Sequence, residues 1–515
     1  MSGYDRRVSK DVAGELGGSE PGSGGAVSPP TMGVVAHGVS WKLLSVAFGQ
    51  GTWYVSLFVL AILVPPRGFG IVAVGTVVVS VMVLILGSGT GGSLIIAPEL
   101  AAASVRRSLI RTSIAGLVVT GLLVALAQPI ADAFTGGADA DVLRLIAVTV
   151  VLAAVWIVPN ALLSKHLRFK ASAQIWIAAS AIASAAAIVA AALGAGVWAL
   201  AIRLVVNQLL LVVLALVATR DLIARRTPSS GPVPKRAGAL AFLMIAAAAL
   251  VAWSFDNLAV AAFTSPTQLG LYTLAFSLAF LPLTLVSWTV GQVLLPAIAA
   301  ARDPDLVRRQ TLKAVRMMAL LLLPLAPVAI AVAPGLIPAA LGPKWDGMVV
   351  PFLILVGLGV GYGVLNALGE ALAGAGVSSV GVRARIDVVW ALATIGAVVI
   401  GVNADGIRGA AVAHVVPFCG LAVAYTWRGG RGIGLSATAL VGSIRDVVTC
   451  VTVQALTTAV FTLGLEHAGS GSLAGGLAGA VAGLVALAAA LRLGAPDLLD
   501  ETRGVVLGTL RGRRA

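Results

Sequence analysis

Charge is scarce in this chain: Asp, Glu, Lys and Arg make up 11% of its 515 residues, against 59% apolar. A water-soluble domain carries about 25% charged residues, so most of this surface faces lipid, and a soluble globular fold is excluded. Aromatic residues are few, at 5%. The two cysteines, Cys419 and Cys450, lie in apolar stretches without metal-ligand spacing and read as packing residues. Four histidines form no cluster that would hold a metal, so no metal site is expected. No G-x-x-x-x-G-K-[ST] occurs, so the chain has no phosphate-cradling loop for ATP. Gly87, Gly89 and Gly92 spell G-x-G-x-x-G, but inside an apolar run with no preceding strand, where they read as a packing face. Asp139 and Asp141 imitate a glycosyltransferase D-x-D in a short loop with no nucleotide-binding domain around it. No catalytic residue is identified, and the chain is not expected to be an enzyme.

Long apolar runs fill the space that these absences leave. A hydrocarbon core of ~30 Å takes about 20 apolar residues per helix. On that measure the spans fall near 40–63, 71–95, 112–131, 142–163, 172–193, 199–219, 239–263, 270–294, 314–338, 348–372, 386–402, 409–427, 445–465 and 471–491. The expected fold is therefore an all-α polytopic membrane protein of about fourteen transmembrane helices, with the span at 386–402 short. Residues 1–38, rich in Gly, Ser and Pro, lack the apolar core of a secretory signal and are expected to form a disordered cytoplasmic tail.

The formal net charge of +14 invites a nucleic-acid partner, but its distribution argues otherwise. All 35 Lys and Arg except Arg67, Arg144, Arg203, Lys344 and Arg408 fall in the tails or in the loops after even-numbered spans. That is the positive-inside pattern, which places both termini in the cytoplasm of a bacterium and the protein in its inner membrane. The basic excess is thus topological, and no nucleic-acid partner is expected.

The chain also echoes itself at an offset near 200 residues. "PPRGFGIVAVG" resembles "SPTQLGLYTLA", with Gly70 matching Gly270; "IIAPELAAASVRRSL" resembles "LLPAIAAARDPDLVRRQ"; "GAGVWALA" resembles "ADGIRGAAVA". Two halves of six spans share one orientation and would be related by an axis along the membrane normal, as in transporters. The expected division is an N-lobe at 39–220, a cytoplasmic linker at 221–238, a C-lobe at 239–431, an appended helix pair at 432–493 and a basic tail at 494–515. In that pair Gly475, Gly479 and Gly483 form a close-packing face.

At these residues the chain resembles the polysaccharide-repeat-unit (Wzx-type) flippases of the multidrug/oligosaccharidyl-lipid/polysaccharide exporter superfamily. The matching stretches are "LAILVPPRGFGIVAVG", "VPNALLSKHLRFKASAQ", "GAGVWALAIRLVVNQ", "FDNLAVAAFTSPTQLGLYTLAFSLAFLPL", "LIPAALGPKWDGMVVPFLIL", "EALAGAGVSSVGVRARI" and "GIRGAAVAHV", in that order over roughly residues 40–427. The resemblance implies two six-helix lobes around a central cavity, with two extra helices. It implies a substrate of undecaprenyl-diphosphate-linked oligosaccharide, carried from the cytoplasmic to the outer leaflet for cell-surface polysaccharide biosynthesis. It supplies no catalytic signature.

Polar residues inside spans are functional candidates, because each costs a few kcal/mol to insert (about 2.5–3.5 for a charge at the centre). Arg203, one turn from the outer end of span 6, either clamps the diphosphate of a lipid carrier or snorkels to the interface. Asn207, four residues on, shares its face. Asp256 in span 7 is too short to reach water and must face a cavity or a partner, with Asn257 adding polarity beside it. Arg203 is one partner open to Asp256, and coupling to H+ or Na+ is the other role. Glu370, four residues after Asn366, either couples an ion or pairs with Arg383 or Arg385; Asp387 is expected to pair likewise, and Glu99 with Arg106 or Arg107. Gln50 and Gln292 lie in spans 1 and 8, helices that the family uses as cavity walls. His414 reads as a buried hydrogen-bonded residue, and Pro282, Pro324, Pro327, Pro334 and Pro351 as kinks or static shaping of the bundle.

The leading function is a lipid-linked oligosaccharide flippase working by alternating access, with no cofactor beyond a coupling ion. Its partners would be the substrate lipid, the bilayer and possible polysaccharide-assembly glycosyltransferases or a polymerase. A lipid II flippase and a cation-coupled multidrug exporter share the fold. A non-transporting scaffold for glycan-assembly enzymes is the alternative of another class. A glycan polymerase is disfavoured by outer loops of about a dozen residues or fewer.

Overall fold

The computed structural model describes residues 32–87, 102–224 apart from 138 and 167, 239–287, 294, 298 and 303–497. Every regular element among them is helical. The solvent explains this: lipid offers no partner to a backbone N–H or C=O, and a helix satisfies these groups within its own segment. The first half contains α1 (Met32–Leu63), α2 (Pro66–Gly87), α3 (Ala102–Phe134), α4 (Ala140–Lys165), α5 (Phe169–Ala192) and α6 (Val197–Ala224). The second contains α7 (Ala239–Phe263), α8 (Pro266–Ala279), α9 (Pro304–Leu322), α10 (Leu325–Leu341), α11 (Val349–Gly374), α12 (Val377–Ala413) and α13 (Val415–Ala424). The pair α14 (Ala437–His467) and α15 (Ser472–Gly494) follows.

Eleven helices among the described residues are long and apolar enough to cross a membrane, beside a shorter apolar stretch at Phe48–Leu63. The chain is a multi-pass membrane protein. One of the eleven, Ser378–Gly432, is 55 residues long and reverses within itself. Asp405 and Gly406 leave helical geometry there, Gly406 with a φ of 52°. The reversal brings Gly401 against Gly409 so closely that a Cβ on Gly409 would sit 1.9 Å from the Gly401 carbonyl oxygen. The matching turn of the first half carries Gly196 with a φ of 55°, as the third sequence echo predicts.

Several boundaries differ from the sequence expectation for identifiable reasons. Helix α1 starts at Met32, inside the segment expected to be disordered, and α6 runs to Ala224, into the expected linker. The span expected at 314–338 is two helices, because Pro324 lacks an amide and separates α9 from α10. Helix α9 is amphipathic, burying Val307, Thr311, Ala314, Val315 and Met318 while Arg308, Arg309 and Lys313 are exposed. Pro282 precedes a π-helical turn at Leu283–Ser287, whereas Pro334 stays inside α10. The short span expected at 386–402 begins earlier, at Val377. The ends of the expected second and eighth spans lie outside the described residues, as do Glu99 and Gln292.

The two halves meet where α2 crosses α8. A Cβ on Gly70 would lie 1.9 Å from the Pro266 carbonyl oxygen, and one on Gly270 would lie 1.7 Å from that of Pro66. The contact is reciprocal, residue for residue at an offset of 200, so the axis relating the halves passes between these glycines. The appended pair packs against the second half: Gln454 Nε2 donates to the Pro324 carbonyl at 3.0 Å. Gly479 and Gly483 of α15 face Thr462 and Thr458 of α14.

Gly70→Ala or Gly270→Ala should destabilise the fold by about 1–3 kcal/mol each through forced separation of two backbones. Gly121→Ala, where nothing lies within 4 Å, should leave stability unchanged or slightly raised. Thermal unfolding in detergent compares the three directly.

Candidate functional site

Helix α6 leaves the Gly196 turn and carries Arg203 nearly two turns in, facing the bundle rather than lipid. Its side chain is 3% exposed. The guanidinium lies 3.5 Å from the centroid of the Trp53 ring in α1, and Nη2 donates to the Trp53 carbonyl at 3.0 Å. Among the described residues no carboxylate forms an ion pair with it. A guanidinium stacked on an indole face is held in place while most of its donors are unspent.

Arg203 lines a cavity of about 230 Å³ between the halves, walled by α1, α2 and α6 on one side and α7 and α8 on the other. Hydroxyl and amide residues line the same cavity: Thr76, Ser80, Ser254, Asn257, Thr273 and Ser277. A second cavity of about 450 Å³ shares Thr76, Ser80 and Leu204 with the first and extends to Thr149, Asn207 and Gln208. Among the described residues, Arg203 is the one charged residue lining either cavity. Arg203, Asn207 and Asn257, selected from sequence, thus line adjoining cavities whose walls mix polar and apolar residues. Gln50 is half-buried in α1 and lines neither cavity.

Asp256 stands one residue from the cavity wall and does not pair with Arg203. It is 1% exposed and turned into the second half. Tyr272 donates its hydroxyl to Asp256 Oδ2 at 3.0 Å and lies 3.1 Å from His414 Nε2, which is itself 3.7 Å from the same carboxylate oxygen. The other oxygen, Oδ1, accepts from the backbone and side-chain amides of Asn257 at 2.7 and 3.1 Å. Asn257 Oδ1 in turn accepts from Thr273 at 2.8 Å, so hydrogen bonds run from the cavity wall to the buried carboxylate. His414 is the buried, hydrogen-bonded residue that its place in an apolar run predicts.

Glu370 lies elsewhere, in a network around Arg383. Arg383 donates Nη1 and Nη2 to Glu370 Oε1 at 3.3 Å, Nε to Asp387 Oδ2 at 3.4 Å and Nη1 to the Gly369 carbonyl at 2.9 Å. Tyr425 donates to Asp387 Oδ1 at 2.6 Å. Of the two bases weighed for Glu370 and Asp387, Arg383 takes both carboxylates, and none of these residues lines either cavity. Sequence reasoning passed over Trp53, Tyr272 and the cavity hydroxyls. Tyr272 had a signal in its rarity, being one of five tyrosines; Trp53 and the hydroxyls had none, since such residues also sit on lipid-facing or packed positions.

An all-helical membrane bundle whose repeated halves cross at a glycine pair and enclose a cavity lined by a buried cation defines a class of membrane transporter fold. The family model described as "Polysaccharide biosynthesis protein" matches residues 59–350, more than half of the chain, and the chain belongs to that family. It is 28% identical over 176 residues to the succinoglycan biosynthesis transport protein ExoT of Rhizobium meliloti (strain 1021). That match covers 34% of this chain and 35% of the relative, so it spans about a third of the relative's length. Among solved structures, the fold is similar to the lipid II flippase MurJ in an inward closed conformation, at a TM-score of 0.64 and 12% identity, over 90% of this chain and 98% of that one. It is also similar to an inward-facing multidrug resistance MATE family transporter of the MOP superfamily, at a TM-score of 0.56 and 17% identity, over 76% and 94% of the two chains. The resemblance read from the sequence stretches is borne out at the level of family and fold.

Arg383→Met strands the buried Asp387 and the half-buried Glu370 and should cost about 3–5 kcal/mol of stability, whereas Glu370→Gln, which leaves the Arg383–Asp387 pair in place, should cost less. Thermal unfolding of both variants measures the difference.

Proposed function

We propose that this protein carries a lipid-linked, diphosphate-bearing oligosaccharide from the cytoplasmic to the outer leaflet of a bacterial inner membrane, both termini cytoplasmic. The observation that carries the reading is the cavity charge: one buried guanidinium that among the described residues has no carboxylate partner, in a cavity that hydroxyl and amide residues also line. Arginine matches phosphate oxygens with paired donors. The hydroxyls and amides suit a sugar, which both donates and accepts. Membership of a polysaccharide biosynthesis family and likeness to a succinoglycan transport protein support the same substrate class. The hydrocarbon tail would stay in the bilayer while the head crosses between the halves. A cation-coupled drug exporter would be expected to line its cavity with carboxylates, and neither cavity has one.

Transport would proceed by rocking of the two halves about the α2–α8 crossing, alternately exposing the cavity. The carrier would draw on an ion gradient or the membrane potential. Asp256 is the proposed coupling residue: its carboxylate is buried, yet joined to the cavity wall through Asn257. Taking up a proton there would break its acceptance from Tyr272 or Asn257 and so bias the packing of α7 against α8. Glu370 is the weaker candidate for coupling, because Arg383 neutralises it.

In liposomes holding a lipid-diphosphate oligosaccharide, the protein should expose the glycan to an impermeant lectin or glycosidase. Arg203→Ala should slow this by at least tenfold, consistent with about 1.5–3 kcal/mol for charged hydrogen bonds. Exposure no faster than in protein-free liposomes, across several glycans and an imposed gradient, would favour a scaffold. Asp256→Asn should retain downhill exposure but lose its response to an imposed pH or sodium gradient; an unchanged gradient response would remove Asp256 from coupling.

A further inference from the structure

Helix α1 ends at Leu63 and is followed by Val64, Pro65 and Pro66. In a helix the carbonyl of residue i accepts from the amide of residue i+4. Leu60 keeps this partner, accepting from Val64 at 2.7 Å. Ala61 and Ile62 do not, because their partners would be Pro65 and Pro66, which have no amide hydrogen. The diproline therefore creates two orphan acceptors at the end of α1, and such groups need another donor when shielded from water.

The second half supplies both donors. The single 3-10 turn Pro343–Met348, between α10 and α11, lies against the end of α1. Trp345 Nε1 donates to the Ala61 carbonyl at 2.8 Å. Lys344 Nζ donates to the Ile62 carbonyl at 2.8 Å and to that of Val64 at 3.3 Å. Trp345 is fully buried and meets Phe69 edge-on, ring centroids 5.3 Å apart. The ammonium also sits at the negative end of the α1 dipole. The arrangement is one-sided: at the repeat-related end of α7, Ser265 stands where the first half has Pro65. In the first half Arg67, just past the diproline, bonds instead to Asp139 of its own half at 3.1 Å.

We propose that Lys344 and Trp345 form a latch that closes this end of the bundle, and that its release from the carbonyls of Ala61 and Ile62 is the step that opens it. The proposal rests on the alternating-access reading above. The cavities extend along α2 from Phe69 to Leu84, away from the latched end, which is the end that the charge pattern assigns to the outside. When the halves part, water reaches the freed carbonyls and the Trp345 N–H and replaces the lost bonds, the Lys344 side chain being exposed already. Neither state leaves a buried orphan, so closed and open arrangements can lie close in energy.

Two variants remove the donors while keeping the packing: Trp345→Phe retains an aromatic ring, and Lys344→Met retains an unbranched apolar stem. Both cysteines are replaced by alanine, and spin labels at Ala195→Cys and Asn403→Cys, one in each half at this end, report the separation by pulsed electron resonance in proteoliposomes. Each variant should raise the long-distance, open population roughly threefold to tenfold over wild type, and Lys344→Arg, which keeps a donor, should restore the wild-type distribution. An unchanged distribution in Trp345→Phe and in the double variant, with thermal unfolding near that of wild type, overturns the latch; should the double variant fail to fold, Trp345→Phe decides alone. If wild type opens under a gradient and substrate lipid but the variants open no more readily, the latch alone falls. If wild type shows no opening under any gradient or substrate, alternating access falls with it.

Discussion

Inside a bilayer no backbone donor or acceptor can turn to water, and that constraint decides more of this structure than any preference of individual side chains. It makes every described element a helix, and it makes every interruption of a helix a place where something else must supply a partner. Pro324 breaks the ninth helix from the tenth, and Gln454 of the appended pair takes the Pro324 carbonyl. The diproline after the first helix leaves two carbonyls open, and Lys344 and Trp345 reach across from the other half to take them. The interruptions are thus where distant parts of the chain become bound to one another. Sterics act at the same places: because Gly70 and Gly270 lack side chains, the second and eighth helices touch backbone to backbone.

Charge follows a parallel rule with two different outcomes. Arg383 lies between Glu370 and Asp387 and also donates to the Gly369 carbonyl, so its donors are spent inside the protein. Arg203 spends one hydrogen bond on the Trp53 carbonyl and rests its face on the indole ring. Burying a cation is costly unless it is paired. At Arg203 the ring quadrupole and one carbonyl meet part of that cost, and an anion entering the cavity would meet the rest. The spent arginine stiffens the fold, and the unspent one is free to recognise.

Much of this was legible in the amino-acid sequence, because the features concerned are periodic or compositional. The membrane class follows from the missing charge. The repeat follows from short stretches whose turn residues are chemically required, and the match of Gly70 with Gly270 turns out to mark the axis itself. Arg203 and Asp256 stood out because ionised groups are rare in apolar runs. What could not be read is pairing across the bundle. Arg203 and Asp256 were each open to the other, yet they point into different halves. Whether a guanidinium faces lipid or a cavity depends on helix rotation, which an almost uniformly apolar helix hardly records. The break at Pro324 and the turn at Leu283–Ser287 were also hidden, since proline in a membrane helix is compatible with continuation, kink or stop. Helix boundaries slipped where apolar and polar residues blend, as at Met32 and Val377.

The near-symmetry of the halves bears on how a carrier of this build could move. Two identical halves related by an axis along the membrane normal would contribute alike at each end, and neither half would bring a contact of its own. The glycine crossing is symmetric and close, so rotation about it changes few contacts and suits a pivot. The polar additions are asymmetric: Arg203 against Trp53 in the first half, Asp256 with Tyr272 and His414 in the second, and the Lys344–Trp345 turn binding across from second to first. Two of these sites differ between the halves in the residues themselves: Ser56 stands where the second half has Asp256, and Ser265 where the first half has Pro65. A symmetric pivot supplies low resistance to rocking, while asymmetric polar contacts give each end, and each half, its own dependence on ligand and ion. Duplication would provide the first, and divergence after duplication the second. Directional transport requires both, because a ligand shifts an equilibrium only by the difference in its affinity for the two states.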